Sequence, residues 1–274
     1  MTVLRVSAPL QALPTEARSL KVVAVTQSDP FFTGRFFETF LAGLAGGPVE
    51  LLEIIVLPNF NESKPALALR LLKLYGAVDL VRLLWRYARA RWSDRFGAPR
   101  SVEALASRYG VPVRTLRTIN DESYLRTLRE RRIDVLLSVA APEIFRQAAL
   151  RAAPHVLNIH TGKLPHYRGM MPTFWALHNG ERQVVTTVHE MAERLDAGGV
   201  LAEWPVSIEA TDSVFALAAK CKTVAGREVA HVLARLATGA WPTSRPPETA
   251  GQSYYRFPTR RDALRVRAMG KRLL

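Results

Sequence analysis

The residues of this sequence best suited to chemistry are an asparagine and a histidine at the end of a short apolar run. The run opens the segment VLNIHTGKLPHYRG, residues 156–169. Side chains alternate between the two faces of a strand, so Asn158 and His160 project together while Leu157 and Ile159 pack behind them. Open α/β sheets bind their ligands at this end of a strand. Taken alone, the run is explained equally well by a turn-capping asparagine and a partly buried histidine.

A carboxylate that could complete this pair is Asp196, in the segment ERLDAGG. Its loop contains Gly198 and Gly199, which permit a close backbone approach. The loop also lies between two predicted strands, so it can return to the same end of the sheet. The competing interpretation is a turn aspartate that bonds to its own backbone.

Other familiar signatures of chemistry are absent from the sequence. It has no phosphate-binding loop, no dinucleotide-binding glycine motif, no nucleophile elbow and no HExxH motif. His155, His160 and His166 lack a carboxylate or cysteine at a metal-ligand spacing, so no metal site is predicted. Cys221 lies on a predicted amphipathic helix, where packing is the better interpretation.

Composition and charge limit the class of protein. Of 274 residues, 48% are apolar and 23% charged, which is typical of a globular protein. A single cysteine, no secretory pattern and no apolar run of membrane-spanning length predict a cytoplasmic protein. The net charge of +14 favours anionic partners such as nucleotide phosphates, nucleic acid or an acidic membrane. An arginine-rich proteome would produce part of the same excess without any partner.

Alternating strand and helix patterns predict an α/β fold, with a mostly parallel, Rossmann-like sheet and helices on both faces. Strands are predicted at residues 20–27, 49–58, 111–116, 134–140, 156–160, 184–189 and 200–208. Helices are predicted at residues 31–45, 65–95, 101–109, 121–131, 143–152, 172–179 and 211–236. We expect an N-terminal extension at 1–19, a catalytic domain at 20–240 and a basic C-terminal tail at 241–274.

A helical insertion interrupts the alternation at about residues 59–100. Between Pro65 and Arg95 seven basic residues accompany two acidic ones and several leucines. An ordinary surface helix, whose long cations keep their charges in water, is the favoured interpretation. A contact with an anionic membrane or with a second subunit is the alternative.

The motif NIH, followed by LPHYRG and then LDAG, resembles the folate-dependent formyltransferases. That family includes glycinamide ribonucleotide, methionyl-tRNA and sugar-nucleotide N-formyltransferases. His160 and Asp196 are 36 positions apart (196 − 160), a separation typical of the family. The resemblance covers roughly residues 20–236. One departure is TGK at 161–163, a form closer to sugar-modifying and uncharacterised members than to the purine enzymes.

The resemblance implies an N-formyltransferase with 10-formyltetrahydrofolate as donor and a primary amine as acceptor. Asn158 and a protonated His160 would stabilise the oxyanion, and Asp196 would orient His160 and relay the amine proton. The pterin pocket would be lined by Ser138, Ala140, Pro142, Ile144, Glu193 and Gly198. The acceptor would be contacted by Ser28, Asp29, Lys163, Tyr167 and Arg168.

The acceptor is assigned by elimination. The 38 residues after Leu236 (274 − 236) are too few for the nucleic-acid-binding domain of methionyl-tRNA enzymes. The 19 residues before Leu20 are too few for the regulatory domain of formyltetrahydrofolate hydrolases. A purine enzyme would not need the insertion. We therefore expect a small amine, such as a phosphorylated amino-sugar nucleotide or another specialised metabolite.

Alternatives are a glycinamide ribonucleotide-type or methionyl-tRNA-like enzyme, a formyltetrahydrofolate hydrolase, and a basic module that binds RNA or a membrane surface. DNA is not expected as a partner, and a homodimer is left open.

Overall fold

A computed structural model describes residues 19–29, 31–58, 64–242, 244–245, 251 and 253–274. The expected extension at 1–19 therefore lies almost wholly outside the described residues. Within them the strands are β1 Leu20–Gln27, β2 Val49–Leu57, β3 Val113–Thr115, β4 Val135–Val139, β5 His155–His160, β6 Arg168–Gly169, β7 Gln183–Glu190, β8 Val200–Ser207 and β9 Tyr254–Tyr255. The helices are α1 Thr33–Leu44, α2 Lys64–Phe96, α3 Val102–Arg108, α4 Glu122–Glu130, α5 Gln147–Leu150, α6 Pro172–His178, α7 Val214–Ala237 and α8 Arg260–Ala268.

Seven of these strands form one sheet in the order β3-β2-β1-β4-β5-β7-β8. The first five are parallel, whereas β7 and β8 are antiparallel to their neighbours. The carboxyl ends of β1, β4 and β5 therefore meet at one edge of the sheet. The prediction of a mostly parallel α/β sheet is confirmed, and β8, which contains Pro205, is at the sheet's edge as expected.

Helices cover both faces of the sheet, as predicted. Alternate residues of β1 enter different cores: Val22 and Ala24 join a cluster with α1, α3 and α7, whereas Val23 and Val25 join one with α4 and α5. This two-residue period is what a strand buried on both faces requires. The central strands are thereby fixed between two packed helical layers.

The insertion is helical, as predicted, and a kink divides it. Within α2, Gly76 adopts φ 76° and ψ 170°, which glycine reaches without the strain that a side chain would add. Its buried apolar side chains are Leu74, Leu83 and Ala90, and Leu74 joins a core cluster with α6, α7 and α8. The remaining apolar side chains of α2 are exposed to a far greater extent than those of α7.

Two details of the predicted helices are wrong. The helix predicted at 143–152 is reduced to α5, because the Glu143 carboxylate accepts the Ile119 N–H and an Asn120 Nδ2–H, both at 2.9 Å, and holds the preceding loop open. The helix predicted at residues 211–236 begins instead after Ser213, whose Oγ accepts the Ala216 N–H at 3.1 Å. Asp212 caps the preceding turn at the Glu209 N–H.

The C-terminal segment, expected to be a basic tail, also contains regular structure. Thr259 and Asp262 form a reciprocal cap at the start of α8, whose Ala263 and Val266 are buried with Leu177 of α6 and Leu217 of α7. Strand β9 pairs in parallel with β6. No helix among the described residues is long and apolar enough to cross a membrane.

Candidate active site

Strand β5 delivers the two polar side chains predicted from the sequence, and β7 adds a third. In the antiparallel register of β5 and β7, Asn158 lies opposite His189 and His160 lies opposite Thr187. His160 and His189 are 7% and 2% exposed, so both imidazoles are almost removed from water. The functional candidates therefore lie on two neighbouring strands, where the backbone fixes their separation.

The neutral state of His189 determines how Asn158 is oriented. Burial, and secondarily the charge of His160, lower the pKa of His189 to about 4, against the opposing effect of Asp196. A neutral ring donates from Nδ1 to the Glu190 carbonyl at 2.8 Å, which leaves Nε2 as an acceptor. The Asn158 Nδ2–H donates to that acceptor at 3.1 Å. The amide group of Asn158 is thus held with its second N–H directed away from His189.

His160 has an acceptor beside each of its ring nitrogens. Its Nε2 is 2.5 Å from the Tyr167 carbonyl, and Nδ1 is 3.8 Å from Asp196 Oδ1. The contact with a carbonyl requires a proton on Nε2. The distance of 3.8 Å is too long for a direct hydrogen bond and leaves Nδ1 accessible to a ligand atom.

Asp196 is held in an unusual backbone conformation. It has φ 51°, in the left-handed region, and its Oδ2 accepts the Gly169 N–H at 3.1 Å. Its Oδ1 lies 3.7 Å from His189 Nε2 as well as 3.8 Å from His160. Backbone strain of about 1–3 kcal/mol at a buried carboxylate is common at functional sites. One oxygen is therefore anchored and the other faces both imidazoles.

Neighbouring residues fix the loop that carries Asp196. The Arg168 guanidinium donates from Nε to the Leu195 carbonyl at 3.0 Å. A side chain at Gly198 would come within 1.8 Å of the Glu190 carbonyl oxygen, so only glycine allows this approach. A side chain at Gly169, which has φ 96°, would likewise come within 2.3 Å of the Tyr255 carbonyl oxygen. Through β6, strand β9 therefore supports the loop that carries Asp196.

The residues predicted to line the pterin pocket lie on two loops that touch. Ser138 is buried in β4, and Ala140 has φ 53° just beyond it. Pro142 is half-buried and Ile144 is 69% exposed. The second loop includes Glu193 and Gly198. The two loops are joined where Gln147 Nε2 donates to Glu193 Oε1 at 2.5 Å.

The predicted acceptor residues divide between two places. Ser28 and Asp29 follow β1, and the Asp29 carboxylate accepts the Phe31 and Thr33 N–H groups. Burial raises the pKa of Asp29, and those backbone groups act in the opposite direction. Lys163 and Tyr167 instead line a cavity of about 480 Å³ beside the His160 loop.

Tyr167 and Arg168 are already engaged within the protein. The Tyr167 hydroxyl donates to Glu181 at 2.6 Å and its ring stacks on Tyr255, with centroids 5.4 Å apart. Burial and the bond to Glu181 raise the pKa of this phenol. Arg168 is bound to the Leu195 carbonyl, as described above. Both side chains are therefore fixed by contacts inside the protein, and they hold the loops around the site in place.

His189 was not identified from the sequence as a site residue. Its strand was predicted, but the pairing of that strand with β5 was not, and only the pairing places His189 opposite Asn158. A usable signal was present in Thr187 and His189, two polar residues at i and i+2 near the end of an apolar strand.

The fold and the site together define an α/β enzyme with buried acid–base and hydrogen-bond-donating groups at the carboxyl end of a central strand. A protein-family model described as formyl transferase matches residues 75–233 of this sequence. The match covers 159 of the 274 residues (233 − 75 + 1). The chain belongs to the formyl transferase family.

Solved structures share this fold at low sequence identity. Glycinamide ribonucleotide transformylase 1 from Symbiobacterium toebii aligns over 86% of this chain and 97% of its own, with 16% identity and a TM-score of 0.59. An N-formyltransferase from Helicobacter canadensis, solved with folinic acid and dTDP-3-aminofucose, aligns over 86% of this chain and 70% of its own, with 14% identity and a TM-score of 0.55. A sugar N-formyltransferase from a Shewanella species aligns over 90% and 87%, with 16% identity and a TM-score of 0.54.

Proposed function

We propose that this protein transfers the formyl group of 10-formyltetrahydrofolate to a primary amine on a phosphorylated small molecule, with an amino-sugar nucleotide as the leading class. The convergence of Asn158, His160 and Asp196 at one sheet edge is the observation that carries the proposal. Structural neighbours solved with a formylated tetrahydrofolate and with an amino-sugar nucleotide support the same class.

The loops beside the site have properties that fit a folate. Ile144 and Leu195 are 69% and 44% exposed, so each loop presents an apolar side chain without a covering partner. The left-handed Ala140 directs the chain away from β4 at this point. An apolar wall bordered by backbone groups suits a flat heterocycle with polar edges. We assign Ser138, Ala140, Pro142, Ile144, Glu193 and Gly198 to this donor side.

The bound folate supplies an activated formyl carbon. As the amine nitrogen bonds to that carbon, the carbonyl oxygen gains negative charge. Asn158 donates the N–H that His189 leaves free, and protonated His160 donates from Nδ1. One such donor contributes about 3–4 kcal/mol in sites of this type. His189 acts as a positioning residue, because it touches Asn158 and fixes its orientation.

Asp196 moves the proton that the amine must lose. Its Oδ1 accepts the proton while Gly169 holds Oδ2 in place. The bond from the formyl carbon to N10 of the folate then breaks, and N10 takes a proton as tetrahydrofolate leaves. His160, with Nδ1 3.8 Å from Asp196, is the adjacent group for this transfer. The products are a formamide and tetrahydrofolate.

A basic cavity near β1 supports a phosphorylated acceptor. It encloses about 370 Å³ and is lined by Phe31, Gly34, Arg35, Glu38, Trp85, Arg86, Arg89, Ala90, Arg100, Phe215 and Ala219. Four guanidinium groups face a single carboxylate, and the Arg86 guanidinium lies 4.6 Å from the ring centre of Phe215. Guanidinium groups and aromatic rings together suit phosphate and a planar base.

The position of this cavity fits a ligand that spans both sites. It begins four residues after the end of β1, and β1 is separated from β5 only by β4. Strands are about 4.8 Å apart, so the two strand ends are on the order of 10 Å apart. A nucleotide sugar could place its phosphates here and its amine at Asp196. Ser28 and Asp29 would then contact the acceptor from the β1 side, and Lys163 and Tyr167 would contact it from the side of the His160 loop.

The deciding experiment is an assay of tetrahydrofolate release from 10-formyltetrahydrofolate with a panel of amines. We expect release that depends on an amino-sugar nucleotide and is abolished in His160→Ala. Glycinamide ribonucleotide or methionyl-tRNA as the only active acceptor would overturn the assignment of substrate. Formate release without an amine would identify a hydrolase instead.

The acceptor cavity has its own test. Arg86→Ala and Arg89→Ala should raise KM for the phosphorylated acceptor by about tenfold with little change in kcat, because they remove binding that is common to ground and transition states. Arg126→Ala, which removes an exposed arginine of α4, is the matched control and should have no effect. Equal kinetics in all three variants would exclude the cavity as a phosphate site.

A further inference from the structure

The outer face of α2 is the largest exposed apolar feature of the described chain. Ten of its large apolar side chains are at least 36% exposed: Leu67, Leu69, Leu72, Val78, Val81, Leu84, Trp85, Tyr87, Trp92 and Phe96. Only six others in the described residues reach this exposure: Tyr109, Ile144, Leu195, Tyr254, Leu264 and Met269. Apolar surface concentrated on one element marks an interaction site.

The side chains after the kink form one stripe. At 100° per residue, Val78, Val81, Leu84, Trp85, Trp92 and Phe96 fall within an arc of about 120°. Each is between 59% and 67% exposed. Leu83 and Ala90, which are buried, point to the opposite side of the helix. Residues 77–96 therefore lie on the domain with one apolar face and display another, defined here as the α2 stripe.

Cations border the α2 stripe on both sides. By the same rotation, Arg82 and Arg89 lie along one edge, Arg91 lies along the other, and Arg95 lies within the arc. All four are exposed. Arg89 and Arg95 lie over the rings of Trp85 and Phe96, with the charge 5.7 Å from each ring centre. Such cations can reach headgroup phosphates while their stems rest on apolar surface.

The two acids of α2 are turned inward and are already bound. Asp79 pairs with Arg82 at 3.0 Å and with Arg267 at 2.8 Å. Asp94 accepts the backbone N–H groups of Arg100 and Ser101. The outward surface of residues 77–96 therefore carries cations and apolar groups but no carboxylate of its own.

We infer that the α2 stripe docks the protein on an anionic membrane surface, with α2 lying in the plane of the interface. A helix with tryptophan, phenylalanine and leucine on one face and arginine beside them has the composition of such interfacial helices. A second copy of the chain fits less well. A two-fold contact through this stripe would oppose arginine to arginine on molecules that each carry a net charge of +14.

Vesicle binding of the full chain tests this inference. Wild-type protein should sediment with phosphatidylcholine vesicles that contain phosphatidylglycerol and bind pure phosphatidylcholine far less. Each cation near an anionic surface strengthens binding roughly fivefold. The variant Arg91→Glu/Arg95→Glu should therefore bind at least about 25-fold more weakly. Its control, Arg108→Glu/Arg126→Glu, changes the net charge equally on α3 and α4 and should lose far less.

The apolar part has a separate variant. Val81→Glu/Trp92→Glu should abolish binding while thermal unfolding and formyl transfer to a free acceptor stay unchanged, because both side chains are about two-thirds exposed. Trp92→Phe should retain binding. Leu264→Glu/Met269→Glu, which adds the same two charges at exposed apolar residues in and just after α8, should also bind normally. Brominated acyl chains should quench wild-type tryptophan fluorescence.

Three results would overturn the inference. The first is undiminished vesicle binding by Val81→Glu/Trp92→Glu. The second is a wild-type dimer that this variant converts to monomer, without vesicle binding, which would assign the stripe to a second copy. The third is binding of the wild-type protein to tRNA but not to anionic vesicles. None depends on formyl transfer, so a failure of the proposed enzymatic activity would leave the vesicle result interpretable.

Discussion

At the end of β5 polar side chains are buried close to one another, whereas along residues 77–96 large apolar side chains are left in water. His160, His189 and Asp196 are at most 7% exposed, and each has a defined neighbour. Val81, Trp92 and their neighbours in the α2 stripe are at least 59% exposed. Each region departs from the usual distribution of residues in the opposite direction.

The two departures have different structural requirements. Buried polar groups persist because hydrogen bonds compensate their lost hydration, and α/β packing around β5 holds these partners in place. Exposed apolar groups need no partner in the folded protein, but a surface that covers them removes them from water, which is favourable. The first arrangement is suited to chemistry on a bound molecule and the second to attachment. Trp85 and Arg89 belong both to the α2 stripe or its edge and to the wall of the acceptor cavity. Substitutions outside that shared wall should therefore separate activity, stability and surface binding.

The largest expected effect is that of Asp196→Asn on catalysis. Asparagine keeps the shape of the side chain, tolerates the left-handed backbone and can still accept the Gly169 N–H. It cannot take a proton from the amine. We expect kcat to fall by about 10²–10⁴-fold with little change in melting temperature. The measurement is steady-state release of tetrahydrofolate, together with thermal unfolding.

A matched change in the other region completes that test. Trp92→Glu alters a side chain of the α2 stripe and should leave kcat for a free acceptor unchanged. Full activity in Asp196→Asn would refute the proposed proton transfer. A comparable loss of activity in Trp92→Glu would show that the two regions are not independent.

The sequence predicted these two regions to different extents. Local patterns placed β1, β5 and β7, and the NIH motif with Asp196 identified three of the four polar groups of the site. His189 required the β5–β7 register, and the support of Gly169 by β9 required a pairing between residues 86 positions apart (255 − 169). Neither contact leaves a local signature, because strand pairing depends on tertiary packing.

For the α2 stripe, the sequence predicted the helix but not which of its faces is exposed. The sequence predicts a basic helix with apolar faces here, and an ordinary surface helix is its favoured interpretation. Periodicity gives the faces of a helix but not which of them the domain covers. Only the structure shows that the side of Leu83 and Ala90 is the covered one.

A smaller effect, on stability, follows from the buried imidazole. The pKa of His189 is lowered from the usual 6.5 to about 4. Between these two pH values the imidazole is therefore protonated in the unfolded chain and neutral in the folded chain. Stability should therefore be complete above pH 6.5 and fall as pH decreases towards 4, by on the order of 3 kcal/mol. His189→Gln, which retains an acceptor for Asn158, should lose this dependence.

Chemical denaturation of both proteins between pH 7 and 4 measures the His189 contribution as a difference, so that other titrating groups cancel. A difference that is constant over this range would mean that His189 is protonated equally in both states. That outcome would remove the argument that a neutral ring orients Asn158.

The smallest expected effect lies in the α2 stripe and is tested against α7. Leu84 is 59% exposed in α2, whereas Leu233 is fully buried in α7. Leu84→Ala should change the free energy of unfolding by no more than about 0.5 kcal/mol, because little buried contact is lost. Leu233→Ala should cost about 2–5 kcal/mol through the cavity that it leaves. Urea denaturation in the absence of lipid distinguishes these values. A loss above about 1 kcal/mol for Leu84→Ala would mean that the stripe is already covered in solution, as a dimer contact would require, and the membrane would no longer be its partner.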